Sequence, residues 1–355
     1  MTEARQRARA FCDRFGLGLP VLQAPMAGSS PPELAVAVAG AGGMGARGVL
    51  QDSPRRIAEW TEEFRAGSSG AFQLNVWIPE TAGPDPAERQ RQMDGAREFL
   101  GGFGTPGEPG GPDPPVFREQ CEAMLAARPT AVSSIMGLFE PEYVRRLHER
   151  GIAWFACATT LDEAFAAEDA GADVVVAQGM EAGGHRGSFR QDAERADVGL
   201  FALLPRLADR LRVPIVAAGG IADGRGVAAA LTLGASAVQV GTVLLRCPET
   251  GTSKEWAATL EDLGPEDTVT TRAYSGRLAR AVRTAYVMAW EEPGAPSPAC
   301  FPDQLRLVSQ WRRGTTDGLD RSNYWAGQSA ALATEEPAAD VITRMWTSAR
   351  GLLPG

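Results

Sequence analysis

Residues 178–189 read QGMEAGGHRGSF and hold His185, one of two histidines in the 355-residue chain. A histidine among glycines at the end of an apolar run can move a proton near neutral pH, or orient an anion by hydrogen bonding. The plainer alternative is a histidine that only ties its own loop. His148, in the amphipathic PEYVRRLHER, reads as a surface or half-buried side chain. Glu181 and Arg186 flank His185 and can face a pocket, although charged loop residues are more often solvated.

Two further stretches are rich in glycine. Ala218 runs into Gly219, Gly220 and Ile221, and Gln239 leads through Val240 and Gly241 to Thr242. Backbone N–H groups at such turns can approach a phosphate closely, and a short helix start adds a favourable dipole. Tight turning alone is the alternative. Gly183 and Gly184 offer the same close approach beside His185. Asn75, Gln178 and Gln239 each stand at the end of an apolar run. An amide buried without partners costs about 1–3 kcal/mol, so each is expected to have one. Side chains that both donate and accept suit the edge of a flavin ring or its ribityl chain; tying neighbouring loops together is the competing use.

These residues need a frame. Apolar runs at 21–26, 43–47, 72–77, 131–136, 153–158, 173–178, 214–218 and 237–240 read as strands. Helical patterns at 32–40, 54–65, 141–150, 161–170, 198–211 and 224–233 alternate with them. Strands separated by helices imply βαβ units and a parallel sheet. Eight of them fit an α/β fold of the (β/α)8 TIM-barrel type, whose chemistry sits at the carboxyl ends of the strands. Residues 1–250 are expected to form the barrel. Residues 251–355 are expected to be a mainly helical C-terminal segment packed on it and covering its mouth, with Tyr274, Tyr324 and Trp325 as aromatics that line the pocket or pack the core. Residues 101–115, GGFGTPGEPGGPDPP, read by composition as loop or disorder at the surface, interrupting the third βα connection.

Composition excludes several functions. A net charge of −9 argues against nucleic acid or an anionic membrane surface as partner. Lys254 is the sole lysine and lies in the polar TSKE, which argues against Schiff-base chemistry. Five scattered cysteines without CxxC spacing fit a reducing, cytoplasmic setting. Two histidines make a multi-imidazole metal site hard to assemble, so no metal is expected. The N-terminus lacks a signal-peptide core, and no apolar run reaches membrane-spanning length.

QAPMAG (23–28), AGGMGARG (41–48), QGMEAGGHRGSF, PIVAAGGIADGRG (214–226), QVGT (239–242), TRAYSGRLARAV (271–282) and WAGQSAAL (325–332) together resemble the nitronate monooxygenase family, formerly called 2-nitropropane dioxygenases. The resemblance runs in order over most of the chain. It implies a barrel holding FMN non-covalently, with the phosphate between the last two strands. By position, Asn75, Gln178, Gly183, Gly220, Gln239, Val240, Gly241 and Thr242 would contact FMN, the backbone of Pro25, Met26 and Ala27 would lie against its ring, and His185 would be the active-site histidine. The implied reaction is oxidation of an alkyl nitronate by O2 to a carbonyl compound and nitrite, with nitroalkanes as a related substrate class. An NAD(P)H-dependent flavin reductase of enoyl-ACP or quinone type, and a diverged flavoenzyme of a specialised pathway, remain the alternatives. Leu278 departs from the family pattern, where proline is expected, as does the 101–115 insertion.

Overall fold

The structure, a computed structural model, describes all residues except 1, 81–82, 84, 109–114, 191–196, 317–321 and 355. In chain order the elements are α1 (Glu3–Phe15), β1 (Val21–Gln23), α2 (Pro32–Gly40), β2 (Gly45–Gly48), α3 (Pro54–Gly67), β3 (Phe72–Trp77), α4 (Pro86–Gly101), β4 (Gly104–Thr105), α5 (Phe117–Ala127), β5 (Ala131–Ile135), α6 (Pro141–His148), β6 (Ala153–Ala158), α7 (Leu161–Asp169), β7 (Val174–Gln178), β8 (Gly184–His185), α8 (Leu200–Ala208), β9 (Ile215–Ala218), α9 (Gly224–Thr232), β10 (Ala237–Val240), α10 (Lys254–Thr259), β11 (Thr268–Thr271), β12 (Ala279–Val282), α11 (Ala285–Glu291), α12 (Asp303–Arg312), β13 (Thr315–Thr316) and α13 (Ala338–Leu352).

Eight parallel strands run in the order β1-β10-β9-β7-β6-β5-β3-β2, and a bridge between Leu22 and Met44 joins β1 to β2. The α/β barrel expected from the alternating pattern is the fold observed. Side-chain alternation explains its two layers. Phe72, Leu74 and Val76 of β3 pack outward in the core shared with the helices, while Gln73, Asn75 and Trp77 take the opposite face. Inside, apolar residues fill the amino end: Leu22, Met44, Phe155, Val174 and Val216 cluster with Phe11 and Phe15 of α1, and the Phe15 ring lies 5.1 Å from that of Phe155. α1 therefore plugs the lower end, and the cavity lies where the strands finish.

Beyond residue 250, where a mainly helical segment packed on the barrel and covering its mouth is expected, one helix also completes the barrel wall. α13 packs against α9 and α2, and Val341, Ile342 and Met345 join the outer core. It supplies the barrel's last helix after β10, and the stretch between them is a long excursion over the mouth. That excursion contains strands as well as helices: β11 and β12 form a hairpin that pairs through β12 with β8. Residues 101–115 are not all loop, because β4 pairs with β13; residues 109–114 lie outside the described set. α4, before this strand, packs on α12, so the third connection and the excursion form one cap with its own core around Tyr274, Tyr286, Val308 and Trp311. Among the described residues no helix is long and apolar enough to cross a membrane.

Candidate active site

The open end of the barrel and the underside of the cap enclose a cavity of about 570 Å³. His185, Pro25, Met26, Ala27, Asn75, Gln178, Gly183, Gly184, Gly219, Gly220, Gln239, Val240, Gly241 and Thr242 all line it. Strand alternation also brings in Trp77, Ser133, Cys157, Val176 and Ala218. Residues so distant in sequence meet because adjacent strands are in register: Gln239 pairs with Ala218, and Gln178 with the same alanine from the other side.

One wall is made of glycine. Gly219 and Gly220 have φ +116° and +67°, a region open to glycine and costly for other residues. A Cβ on Gly183 would stand 2.4 Å from the Gly327 nitrogen, and one on Gly241 would stand 3.1 Å from the Ala24 Cβ. The cap stitches these turns together: the Ser329 hydroxyl donates to the Gly220 carbonyl at 2.7 Å, and the Gly327 N–H donates to Thr242 Oγ1 at 3.0 Å. The glycines therefore let the strand-end turns and the cap approach one another closely, and they face the cavity with main chain only.

The three strand-end amides divide between the two uses open to them. Gln178 serves its own loop: its Oε1 accepts the Gly187 N–H at 2.7 Å and its Nε2 donates to the His185 carbonyl at 3.0 Å. Its place on the wall stands, but its amide is chiefly a clamp on the histidine loop. Gln239 Oε1 accepts from Gln73 Nε2 at 3.0 Å, which turns the Gln239 amide N–H groups to other partners. Asn75 Nδ2 donates to Ser133 Oγ at 3.0 Å, leaving its Oδ1 as acceptor. Gln73, unassigned in the sequence reading, lies fully buried behind this set. Its position two residues before Asn75 was the signal, since alternation puts both on one face.

His185 is not on an irregular loop. Gly184–His185 is a two-residue strand, and His185 pairs with Ala279 of β12. The Arg186 N–H donates to the Leu278 carbonyl at 2.9 Å. The ring is held between Trp77 and Trp325, with centroids at 4.5 and 4.9 Å. His185 Nε2 is 2.8 Å from Ser275 Oγ, so the same hairpin grips backbone and side chain. Burial first, and then the nearby Arg277 charge, push the imidazole from 6.5 down to about 3. Arg277 is itself buried and paired with Glu80. The ring is therefore neutral near pH 7.

Between pH 6.5 and 3 the unfolded chain binds a proton at this site that the folded chain does not. The contribution is intact above pH 6.5 and is lost as pH falls towards 3. Replacing His185 with Phe should accordingly flatten the loss of stability from pH 6.5 to about 4, as measured by urea unfolding. Equal pH slopes in the two proteins would contradict the depressed value.

The loop is anchored at its far end by Glu163 of α7. Its buried carboxylate accepts from the Thr159 N–H and hydroxyl, both at 2.7 Å, from the Ser188 hydroxyl at 2.9 Å and from the Phe189 N–H at 2.7 Å. Glu163→Ala would leave several buried donors unpaired and should cost about 2–3 kcal/mol, read from the urea midpoint at constant m. A cost near zero would mean that the loop holds itself. Both charged neighbours of His185 are bonded within the protein. Arg186 is buried and donates through Nη1 to the Gln178 carbonyl at 2.6 Å, and Glu181 accepts the Leu200 N–H at 2.9 Å at the start of α8. His148 is bonded to Asp173 at 2.9 Å on the barrel exterior, and Lys254 is exposed on α10.

Of the aromatics, Tyr274 and Trp325 line the cavity, whereas Tyr324 packs beside Trp256. Trp77, Ser275 and Arg277 were not singled out in the sequence. Trp77 was findable as the residue two beyond Asn75; Ser275 and Arg277 lie in the quoted SGRL, but only the hairpin brings them to His185.

Residues 10–347 match the family model described as nitronate monooxygenase. A nitronate monooxygenase of Pseudomonas aeruginosa is 38% identical, over 96% of this chain and 99% of its own length. Among solved structures, the nitroalkane oxidase of Streptomyces ansochromogenes matches with a TM-score of 0.82 at 32% identity, covering 97% of this chain and 100% of that one. FabK of Thermotoga maritima matches with a TM-score of 0.73 at 27% identity, covering 97% and 96%.

Proposed function

The chain belongs to the nitronate monooxygenase family, and on that premise we propose that it is an FMN-dependent enzyme that oxidises alkyl nitronates with O2 to a carbonyl compound and nitrite. The observation that carries this reading is that one cavity holds both the glycine wall and His185.

The residues present fit FMN. The wall at Gly183, Gly219, Gly220 and Gly241 presents main chain without side chains to the cavity, and the backbone N–H groups of such turns would suit a phosphate. Gln239, its oxygen occupied by Gln73, would offer its amide N–H groups to the flavin. Asn75 keeps an acceptor for a ring N–H or a hydroxyl. When bound, FMN would supply the electron acceptor that links a nitronate to O2. Pro25, Met26 and Ala27, at the exit of β1, would back its ring.

The substrate part of the work falls to the cap. Trp77 and Trp325 flank His185, and such apolar rings exclude water from a bound anion. A nitronate carries its negative charge on two oxygens, and a neutral imidazole can donate one hydrogen bond to that anion. For a neutral nitroalkane the same ring would have to take the α-proton as a base.

The test is an absorbance spectrum of the purified protein, followed by anaerobic addition of propionate 3-nitronate or of NADPH. Flavin bands that bleach with the nitronate, and oxygen uptake with nitrite release in air, are the expected results. Bleaching by NADPH and not by nitronate would overturn the proposal in favour of a reductase. Absence of flavin bands after FMN reconstitution would remove the cofactor.

A further inference from the structure

Ser275 is 2% exposed and sits in the turn between β11 and β12. Its hydroxyl oxygen accepts the Arg277 N–H at 3.2 Å. One hydrogen remains to be given, and two acceptors are in reach: the Arg277 carbonyl at 3.3 Å and His185 Nε2 at 2.8 Å. Hydroxyl hydrogen bonds normally run from about 2.5 to 3.0 Å, so the imidazole is within the normal range and the carbonyl is outside it. The turn has little freedom to rearrange. Gly276 has φ +83°, and a Cβ there would meet the Ala299 carbonyl oxygen at 2.3 Å. The 299–301 segment therefore packs directly on this turn and fixes Ser275 in place.

With the ring neutral, two tautomers are available, and the partner of one nitrogen selects which nitrogen carries the hydrogen. We infer that Ser275 is a positioning residue that donates to His185 Nε2 and thereby leaves Nδ1–H as the hydrogen-bond donor on the cavity side, which sets the enzyme for preformed nitronate anions and against neutral nitroalkanes. Nδ1 has no partner among the described residues, and His185 lines the cavity. A donor matches the charged oxygens of a nitronate. It has no lone pair with which to remove the α-proton of a nitroalkane, because the lone pair on Nε2 is already engaged. Substrate protonation state is thus selected by a serine on the cap. This inference rests on the proposed nitronate chemistry for its substrate part only.

The tautomer can be read without turnover. The FMN holoenzyme, labelled with 15N-histidine and carrying His148→Gln so that one imidazole remains, should give the spectrum of a ring protonated at Nδ1 and bare at Nε2. The opposite pattern would overturn the inference. Ser275→Ala should shift the signals towards the Nε2–H form, and Ser275→Thr, which keeps the hydroxyl, should restore them. In parallel, Ser275→Ala should lower kcat/KM for a nitronate by about 10²-fold, the low end of what losing one preorganised donor costs, and leave or raise activity on the nitroalkane of the same skeleton. Ser275→Thr should recover the nitronate activity. An unchanged nitronate kcat/KM in Ser275→Ala, or an equal loss on both substrates, would also overturn it. A protein with the Nδ1–H spectrum that turns over no nitronate would sink the proposed reaction and leave the tautomer assignment standing.

Discussion

His185→Asn should keep its flavin and lose most of its turnover. Asparagine is smaller than imidazole and cannot span from Ser275 to the substrate side of the cavity. The loss should be about 10²–10³-fold on a nitronate if the ring acts as one preorganised donor. It can reach about 10⁴-fold on any nitroalkane activity that needs an acid or base. Flavin should stay bound, because the glycine wall, Asn75 and Gln239 are untouched by the change. Steady-state oxygen uptake, with the flavin content measured on the same sample, checks both halves. Full turnover would remove His185 from the chemistry. Lost flavin would show that the ring supports the fold of the site rather than its reaction, given that its flanking tryptophans pack directly on it.

Gly220→Val should separate binding from chemistry in the opposite sense. At φ +67° an L-residue pays roughly 1–2 kcal/mol, and a β-branched one more. The new Cβ would also lie 3.1 Å from the Glu181 Cβ, beside the turn that the Ser329 hydroxyl holds through the Gly220 carbonyl. The backbone must therefore shift where the phosphate of FMN is proposed to sit. The FMN Kd should rise at least about tenfold, which corresponds to 1.4 kcal/mol, and excess FMN should restore much of the activity. Gly220→Ala, which lacks the branch, should show the same effect in weaker form and guards against a valine variant that fails to fold. Fluorescence titration of the apoprotein with FMN measures it. Folded variants with unchanged affinity would place the phosphate elsewhere.

Much of this site could be read before any coordinates. Barrel strands are short apolar runs with a period of two, and that period alone explains why Asn75, Gln178 and Gln239 share one interior face with their neighbours on other strands. Glycines after β9 and β10 carry a local signal as well, because positive φ and close approach are demands on single residues. The uses of the amides were a different matter. Gln178 and Gln239 look alike as strand-end glutamines, yet Gln178 clamps the histidine loop while Gln239 is held by Gln73 and faces the cavity. A side chain's partners depend on which neighbours the fold supplies, and no spacing along the chain encodes them.

The same limit applied to everything above the barrel mouth. α13 lies almost a hundred residues after β10, so sequence order suggested an appendage; its apolar face between α9 and α2 makes it part of the barrel. Gly184–His185 looked irregular because two residues show no strand periodicity, and pairing with β12 created the strand. Local chemistry in the sequence thus settled the barrel, the glycine wall and the candidacy of His185, since each follows from short-range pattern or backbone freedom. The state of that histidine was decided in three dimensions. Its neutrality comes first from burial under the cap and then from Arg277, and its hydrogen-bond partner is Ser275; both residues lie about ninety positions away and are brought beside it by hydrogen bonds between one short strand and one hairpin.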